Sequence, residues 1–387
     1  MRRVMGIAKS VYYFFFRQIA YLRLRGRGHA GTPQSGAVNI VCRFGVQNGL
    51  ANGALYQCLA FEKLGYAARK VDITPAIKNP FRKISCSADG PLVFHCAAPQ
   101  FLQFAWPLRD AVRGRRLIGY FAWELDEPPA DWPDYPDMWD EIWTTSVFSA
   151  RSLARKYRCP VHVVPHVLIG REGAPRVWRK GDEPLVFLTM ADARSSLMRK
   201  NPAGAIDAFR EAFPDERDVA MVVKLQMRGM TPEVERILAA AAGDARIRVI
   251  TENMSRAEVD DLMARAHVYV SLHRAEGFGL PLLEARVAGL ATIATAWSGN
   301  MDFMGENDSA LIPFKLAHMV DEGGVYGAVT WADPDIGAAA RAMRRFYDDP
   351  DYLASIARAG WEASRPDRQV AVFSAAAEAA LNGSANF

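Results

Sequence analysis

Half of the 387 residues are hydrophobic and 23% are charged, a composition that excludes an intrinsically disordered chain and supplies two cores of ordinary domain size. Net charge is +4, from 47 Lys and Arg against 43 Asp and Glu, and no nucleic-acid recognition motif accompanies it, so no nucleic-acid partner is expected. Five cysteines, odd in number and without CxxC or zinc-ligand spacing, suggest neither a disulfide framework nor a structural metal and are expected as buried free thiols in a reducing compartment.

The charge is unevenly spread. No Asp or Glu precedes Glu62, whereas Arg2, Arg3, Lys9, Arg17, Arg23, Arg25 and Arg27 crowd the start of the chain. Within that segment the apolar run SVYYFFF (10–16) is far short of the about twenty residues of a membrane span. It also lacks the length and small-residue cleavage site of a signal peptide, and Arg2-Arg3 alone is a weak twin-arginine address. A cationic helix with clustered Tyr and Phe suits the headgroup region, so residues 1–27 are expected to bind an anionic membrane surface peripherally, from the cytoplasmic side of the plasma membrane. A disordered or core-docked extension is the alternative.

After a Gly, Pro and Ser-containing linker (28–36) the pattern becomes α/β. AVNIVCRF (37–44) reads as a strand and NGALYQCLAFEKLG (52–65) as a helix ended by Gly65. AARKVDI (67–73), PLVFHCA (91–97), RRLIGYFAWEL (115–125), EIWTTS (141–146) and VHVVPHV (161–167) follow as strands of one doubly wound domain. IGREGAPRVWRKGDEP (169–184) reads as an interdomain linker. Beyond it LVFLTM (185–190), VAMVVKL (219–225), IRVIT (247–251), HVYVSL (267–272) and LATIATA (290–296) predict a second sheet, with helices around 202–213, 232–242 and 256–266. Residues 335–382 are mostly helical by pattern. Two Rossmann-like halves in succession would enclose an interdomain cleft.

One loop stands out. HRAEGFGLPLLEA (273–285) places Glu276 and Glu284 eight residues apart around Gly277, Phe278 and Gly279, after a strand and before a helix with Pro281 in its first turn. Such strand-to-helix loops bind ligands in open α/β sheets. The amides of Gly277, Phe278 and Gly279 can approach a phosphate closely, a helix N-terminus favours its charge, and Phe278 would pack. Taken alone, Glu284 also reads as a helix N-terminal acid and Glu276 as a surface charge.

This segment resembles the E-x7-E motif of the retaining glycosyltransferases of family 4, whose GT-B fold has two Rossmann-like domains facing a cleft. MADARSSLMRKNPAGAIDAF (190–209) resembles the family's basic phosphate-binding segment and ATAWSGNMDFM (294–304) the segment after the motif. IGYFAWELDEPPADW (118–132) and DEIWTTSVFS (140–149) resemble a subgroup of bacterial polysaccharide and lipopolysaccharide assembly. The resemblance spans roughly 36 to 380. It implies a basic tail and linker (1–35), an acceptor-side domain (36–175), a nucleotide-sugar-binding domain (176–360) and a C-terminal helix (361–387) packing back on the first domain.

By the same resemblance Glu276 bonds hydroxyls of the transferred sugar, Glu284 bonds the nucleotide ribose, and Arg194 and Lys200 neutralise the departing diphosphate. His273 and Leu280 would line the donor site with Gly277, Phe278 and Gly279, and Gly49, in RFGVQNGLANG (43–53), would approach the donor phosphates. Glu124 stands where many members have a histidine and is expected to orient the acceptor hydroxyl or contact the sugar; its plain alternative is a salt bridge. His95 is either a sugar contact or a satisfied strand-end histidine, and Lys224 either a phosphate contact or a strand-end charge. Asn201 and Pro202 suit a helix start.

The resemblance implies retention by front-face attack, in which a departing phosphate oxygen helps deprotonate the acceptor; this needs no enzyme nucleophile and agrees with the lack of GxSxG, CxxC and HExxH. Neither a metal nor a cofactor is expected besides the nucleotide-sugar co-substrate. The donor leans to GDP-mannose and the acceptor to a glycan or lipid-linked glycan of cell-surface polysaccharide synthesis. The alternatives are another GT-B nucleotide-sugar enzyme, such as an epimerase or a disaccharide synthase, and a non-catalytic nucleotide-sugar or glycan-binding module.

Overall fold

The structure, a computed structural model, describes residues 16–383 except 26–35, 47–48, 78, 80, 88, 136, 194 and 228. Contacts divide the chain into two units, one holding the residues up to Ile169 together with those from Val370 onward, the other Gly170–Gln369.

The first unit has a six-stranded parallel sheet of β1 (Ala37–Cys42), β2 (Ala67–Asp72), β3 (Leu92–His95), β4 (Leu117–Tyr120), β5 (Glu141–Thr144) and β6 (Val161–Val163), in the order β2-β1-β3-β4-β5-β6. Every residue of β1, β3, β4 and β5 is buried, as in parallel strands covered on both faces, while Arg69 and Lys70 mark β2 as an edge. The helix Gly49–Lys63 packs Ala54, Cys58 and Phe61 onto the sheet. Phe373, Ala377 and Ala380, at helical spacing, complete that core, with Phe373 edge-on to Phe61 at 5.1 Å.

Residues 16–24 are helical and dock on this unit through one face. Ala20 and Leu24 are buried, Phe16 meets Trp106 edge-on at 5.6 Å, and Tyr21 lies 5.6 Å from Tyr135. The opposite face exposes Ile19 and Leu22. Most of the aromatic run lies at residues 10–15, outside the described residues.

The second unit has β7 (Leu185–Asp192), β8 (Val219–Gln226), β9 (Ile247–Ile250), β10 (Val268–Ser271), β11 (Ala291–Thr295) and β12 (Ala310–Ile312), all parallel, in the order β12-β11-β10-β7-β8-β9. The chain builds from β7 to one side and, starting with β10, to the other. The loops leaving β7 and β10 therefore diverge, and a crevice opens at the carboxyl ends of these two strands. An antiparallel hairpin, β13 (Phe314–Val320) and β14 (Ala328–Pro334), follows β12 and has no counterpart in the sequence expectations.

The stretch expected to be a linker is instead bound to the second unit. Trp178 is buried in its core, 5.7 Å from Tyr347, and Arg176 N–H donates to Gly289 O at 3.0 Å. Gly289 has φ +86° and its Cβ position lies 1.9 Å from Ala174 O, so only glycine fits under this strap. All five cysteines are free, but Cys86 and Cys159 are half-buried, a correction to the expectation of five buried thiols. Burial pushes the Cys42 and Cys58 thiols up to about 12. Among the described residues no helix is long and apolar enough to cross a membrane.

Candidate functional site

The first arm of the β7/β10 crevice is a one-turn helix, Leu197–Lys200. Ser196 caps it by accepting from Arg199 N–H at 3.0 Å. Asn201 ends it in the left-handed conformation, φ +50°, and starts the helix Pro202–Ala212 by accepting from Gly204 N–H at 3.2 Å. A Cβ on Gly204 would lie 2.5 Å from the Asn201 amide nitrogen, so the glycine permits this reversal. The turn leaves Arg199 and Lys200 side by side at the end of β7.

The loop after β10 brings an acid to them. Glu276 is buried, its Oε1 paired with Lys200 Nζ and its Oε2 3.2 Å from Arg199 Nη1. Arg199 Nη1 also donates to Ala275 O at 2.6 Å. Burial pushes the Glu276 carboxyl up, but Lys200 and Arg199 outweigh it and hold it at about 2, so it is ionised at neutral pH.

Two residues after β11 fix this loop. Ser298 accepts from Glu276 N–H at 2.8 Å while held at φ 77°, ψ −150°. That region is essentially confined to glycine and costs on the order of 1–3 kcal/mol. Gly299 N–H donates to Glu276 O at 2.9 Å, and a Cβ on Gly299 would meet Gly277 O at 2.2 Å. The two backbones touch with no room for a side chain. His273 is fully enclosed, with Nε2 3.0 Å from Asn300 Oδ1 and Nδ1 3.0 Å from Ser271 Oγ, and burial lowers its pKa. It ties the loop to the 297–300 segment as a neutral ring.

Gly279, φ +96°, leads into the helix Leu280–Val287, whose first residue Leu280 is half-buried. Phe278 packs on Phe303 at 4.9 Å, the packing role expected of it. Glu284 sits in the second turn, too far along for a helix N-terminal acid. It is buried, with Oε1 2.7 Å from Arg256 Nη1 and 3.8 Å from Arg171 Nη1. Burial outweighs Arg256 and raises its carboxyl to about 7. Arg286 anchors this helix through Asp308 at 2.8 Å, Ser309 and Ser364. The two acids of the motif thus have separate cation partners and opposite pKa shifts.

Of the other expected residues, Lys224 is buried on β8 and donates to Gln226 Oε1 at 2.9 Å, and Arg194 lies outside the described residues. Gly49, Glu124 and His95 belong to the first unit. Gly49 is the exposed first residue of its helix, and a Cβ there would meet nothing within 4 Å. Gly53 and Gly45 are the constrained glycines of that stretch, with Cβ positions 2.3 Å from His166 and 2.9 Å from Thr74. Glu124 is half-buried just past β4. His95 is buried at the end of β3, with Nε2 2.6 Å from Gln57 Oε1 and its ring stacked 4.1 Å from Tyr120. Sequence reasoning missed Ser298 and Arg256 and assigned no role to Arg199. No periodicity marks which cation reaches which acid across many intervening residues.

A family model described as "Family 4 Glycosyltransferase in conflict systems" matches residues 148–359, more than half of the chain. No curated protein matches it. Among solved structures, the pneumococcal O-GlcNAc transferase GtfA in complex with UDP and GlcNAc is similar with TM-score 0.55 and 14% identity, over 80% of this chain and 59% of that one. Alr3699/HepE of Anabaena, in complex with UDP and glucose, has TM-score 0.60 and 12% identity, over 90% of this chain and 99% of that one. A glycosyltransferase from Rickettsia africae ESF-5 has TM-score 0.62 and 11% identity, also over 90% and 99%. The chain therefore spans little more than half the length of the pneumococcal protein and nearly all of the other two. These likenesses show the fold, which is GT-B.

Proposed function

This chain belongs to the family 4 glycosyltransferases of conflict systems, and we propose that it moves a hexose from a nucleotide sugar to a glycan or lipid-linked acceptor with retention of configuration. The observation that carries the proposal is the Lys200–Glu276–Arg199 assembly at the crevice between β7 and β10. A diphosphate needs cations and the sugar hydroxyls need acceptors, and here both are preorganised in one buried group.

In this reading Lys200, with Arg194, stabilises the charge that develops on the diphosphate as the glycosidic bond breaks. The ammonium has three donors, so it can serve a phosphate oxygen while keeping Glu276. Glu276 accepts from hydroxyls of the sugar, and Glu284 accepts from the ribose hydroxyls. The departing phosphate oxygen takes the acceptor proton, which requires no protein nucleophile, metal or cofactor.

The motif resemblance leans to GDP-mannose and cell-surface polysaccharide, while the pneumococcal and Anabaena complexes hold UDP. GDP, UDP, ADP and dTDP should be compared by thermal shift, followed by hydrolysis of the matching nucleotide sugars. One diphosphate is expected to raise the melting temperature, and NMR of the released sugar should show the donor's anomeric configuration first. No shift with any nucleotide would overturn the function, and first-formed product of opposite configuration would overturn retention.

We also infer peripheral membrane contact from the cytoplasmic side through residues 1–27. Supporting it, the outward face of residues 16–24 carries Ile19, 53% exposed, and Leu22, 56% exposed, beside Arg23 and Arg25. An apolar ridge flanked by arginines suits an anionic headgroup layer, where each basic side chain contributes about 1 kcal/mol. The double substitution Ile19→Asp, Leu22→Asp leaves the docked face intact and should abolish cosedimentation with phosphatidylglycerol-rich vesicles. Undiminished cosedimentation would remove this helix from the contact.

A further inference from the structure

The hairpin β13–β14 is bonded to both arms of the crevice. On the side of Lys200, Asp321 at its turn is 2% exposed, and its Oδ1 accepts from Ser196 Oγ at 2.6 Å. Ser196 is the residue that caps the Arg199–Lys200 helix. The other oxygen of Asp321 accepts from the amides of Val325 at 2.9 Å and Tyr326 at 3.1 Å, and its own N–H donates to Gly327 O at 2.7 Å. These bonds close the hairpin turn and place the Tyr326 ring with its centroid 5.8 Å from the Arg199 guanidinium. On the side of Glu276, Arg274 N–H donates to Arg199 O at 2.7 Å, and Arg274 O accepts from Ala332 N–H of β14 at 3.0 Å. The Arg274 guanidinium pairs with Asp333 of β14 at 3.1 Å.

A helix of one turn has almost no stability of its own, because its nucleus fixes several dihedrals for one or two hydrogen bonds. Within the turn Lys200 N–H donates to Ser196 O at 3.2 Å and Asn201 N–H to Leu197 O at 2.7 Å. The position of the cation pair therefore depends on what grips the turn from outside, Asp321 at Ser196 and Arg274 at the carbonyls of Met198 and Arg199. A buried carboxylate with no ion-pair cation among the described residues is costly unless its oxygens are well bonded. Asp321 meets that condition through Ser196 and the hairpin amides alone.

We propose that Asp321 is a positioning residue for Arg199 and Lys200, and that the hairpin is the strap through which it sets their place against the donor diphosphate. This rests on the function proposed above. It does not require Asp321 to touch the substrate. It requires that loosening the strap weaken diphosphate binding in protein that remains folded.

The test is calorimetry of full-length wild type, Asp321→Ala and Asp321→Asn with UDP and with GDP, together with donor kinetics, all below the melting transition. Asp321→Ala is expected to weaken the diphosphate that wild type binds by about tenfold, with kcat/KM falling mainly through KM. Asn accepts at only one of its two terminal atoms and cannot serve both Ser196 and the hairpin amides, so Asp321→Asn should recover only part of that affinity. Ser196→Ala removes the same bond, together with the cap on Arg199 N–H, while leaving the hairpin turn whole; it should weaken binding at least as much, which keeps the test open if Asp321→Ala fails to fold. Variants that melt earlier but bind as wild type does would overturn the inference and leave the function standing. A wild type that binds neither diphosphate, nor any other of the panel, would overturn the function and this inference with it.

Discussion

Lys200→Ala is expected to slow sugar transfer by about 100-fold or more, the loss typical of removing one preorganised charge from the developing leaving group. It should also lower the melting temperature. Glu276 is buried and shares its charge between Lys200 and Arg199, so removing the lysine leaves a carboxylate with half its compensation. Breaking a buried pair on one side costs on the order of 3–5 kcal/mol. The two effects separate in the affinity for the free diphosphate, measured below the melting transition. If the pair were only a structural bridge, Lys200→Ala would bind the diphosphate as wild type does. If Lys200 acts on the diphosphate, that affinity falls together with turnover. Full activity of Lys200→Ala would transfer the role to another cation, of which Arg199 is the nearest to Glu276 among the described residues.

The two acids of HRAEGFGLPLLEA should fail differently. Glu276→Gln is expected to cut turnover by about 100-fold while leaving affinity for the free nucleoside diphosphate nearly intact, because an amide cannot accept hydrogen bonds at both terminal atoms. Glu284→Gln is expected to weaken the nucleotide itself by about 1–3 kcal/mol, the range for hydrogen bonds to a charged acceptor. The pKa shifts add a pH signature. Native Glu284 keeps its proton up to about 7, against 4.5 for an ordinary glutamate, so between those values the native state binds the additional proton and stability falls as pH rises. Glu276 has the opposite sign: ionised down to about 2, it contributes stability above 4.5 that is lost as pH falls. Glu284→Gln should flatten the decline in melting temperature between pH 5 and 7. It should also remove the rise in nucleotide affinity that ionisation of Glu284 gives wild type as pH passes about 7. Equal affinity losses in both variants would mean that the acids hold the loop and helix rather than separate parts of the donor.

How much of this was written in the sequence depends on burial. Central parallel strands are covered on both faces and read as continuous apolar runs, which is why AVNIVC, LVFLTM and HVYVSL located the two sheets. The motif loop was legible because its glycines, proline and acids are consecutive. The hairpin was not: β13 carries Lys315 and His318 among exposed residues, and burial in β14 is confined to Trp331, Ala332 and Pro334, so no alternation of period two marks it. Trp178 was hidden by the Gly, Pro and charged residues around it, though a buried indole makes its segment part of the core. Ser298 carries no signal at all, since a serine in a glycine conformation looks like any serine. The pairing of Glu284 with Arg256 and of Ser196 with Asp321 depends on how helices and a hairpin are placed, which periodicity does not encode.

If a nucleotide sugar is held at the crevice between β7 and β10 by the elements that carry Lys200 and Glu276, a bound nucleotide should protect both from hydrogen exchange. Exchange of the full-length protein should be measured with and without a saturating nucleoside diphosphate chosen from the thermal-shift panel. Slowed exchange is expected in two separated segments, residues 195–204 and 273–284. Slowing confined to other parts of the chain, with both segments unchanged while the nucleotide is demonstrably bound, would contradict it.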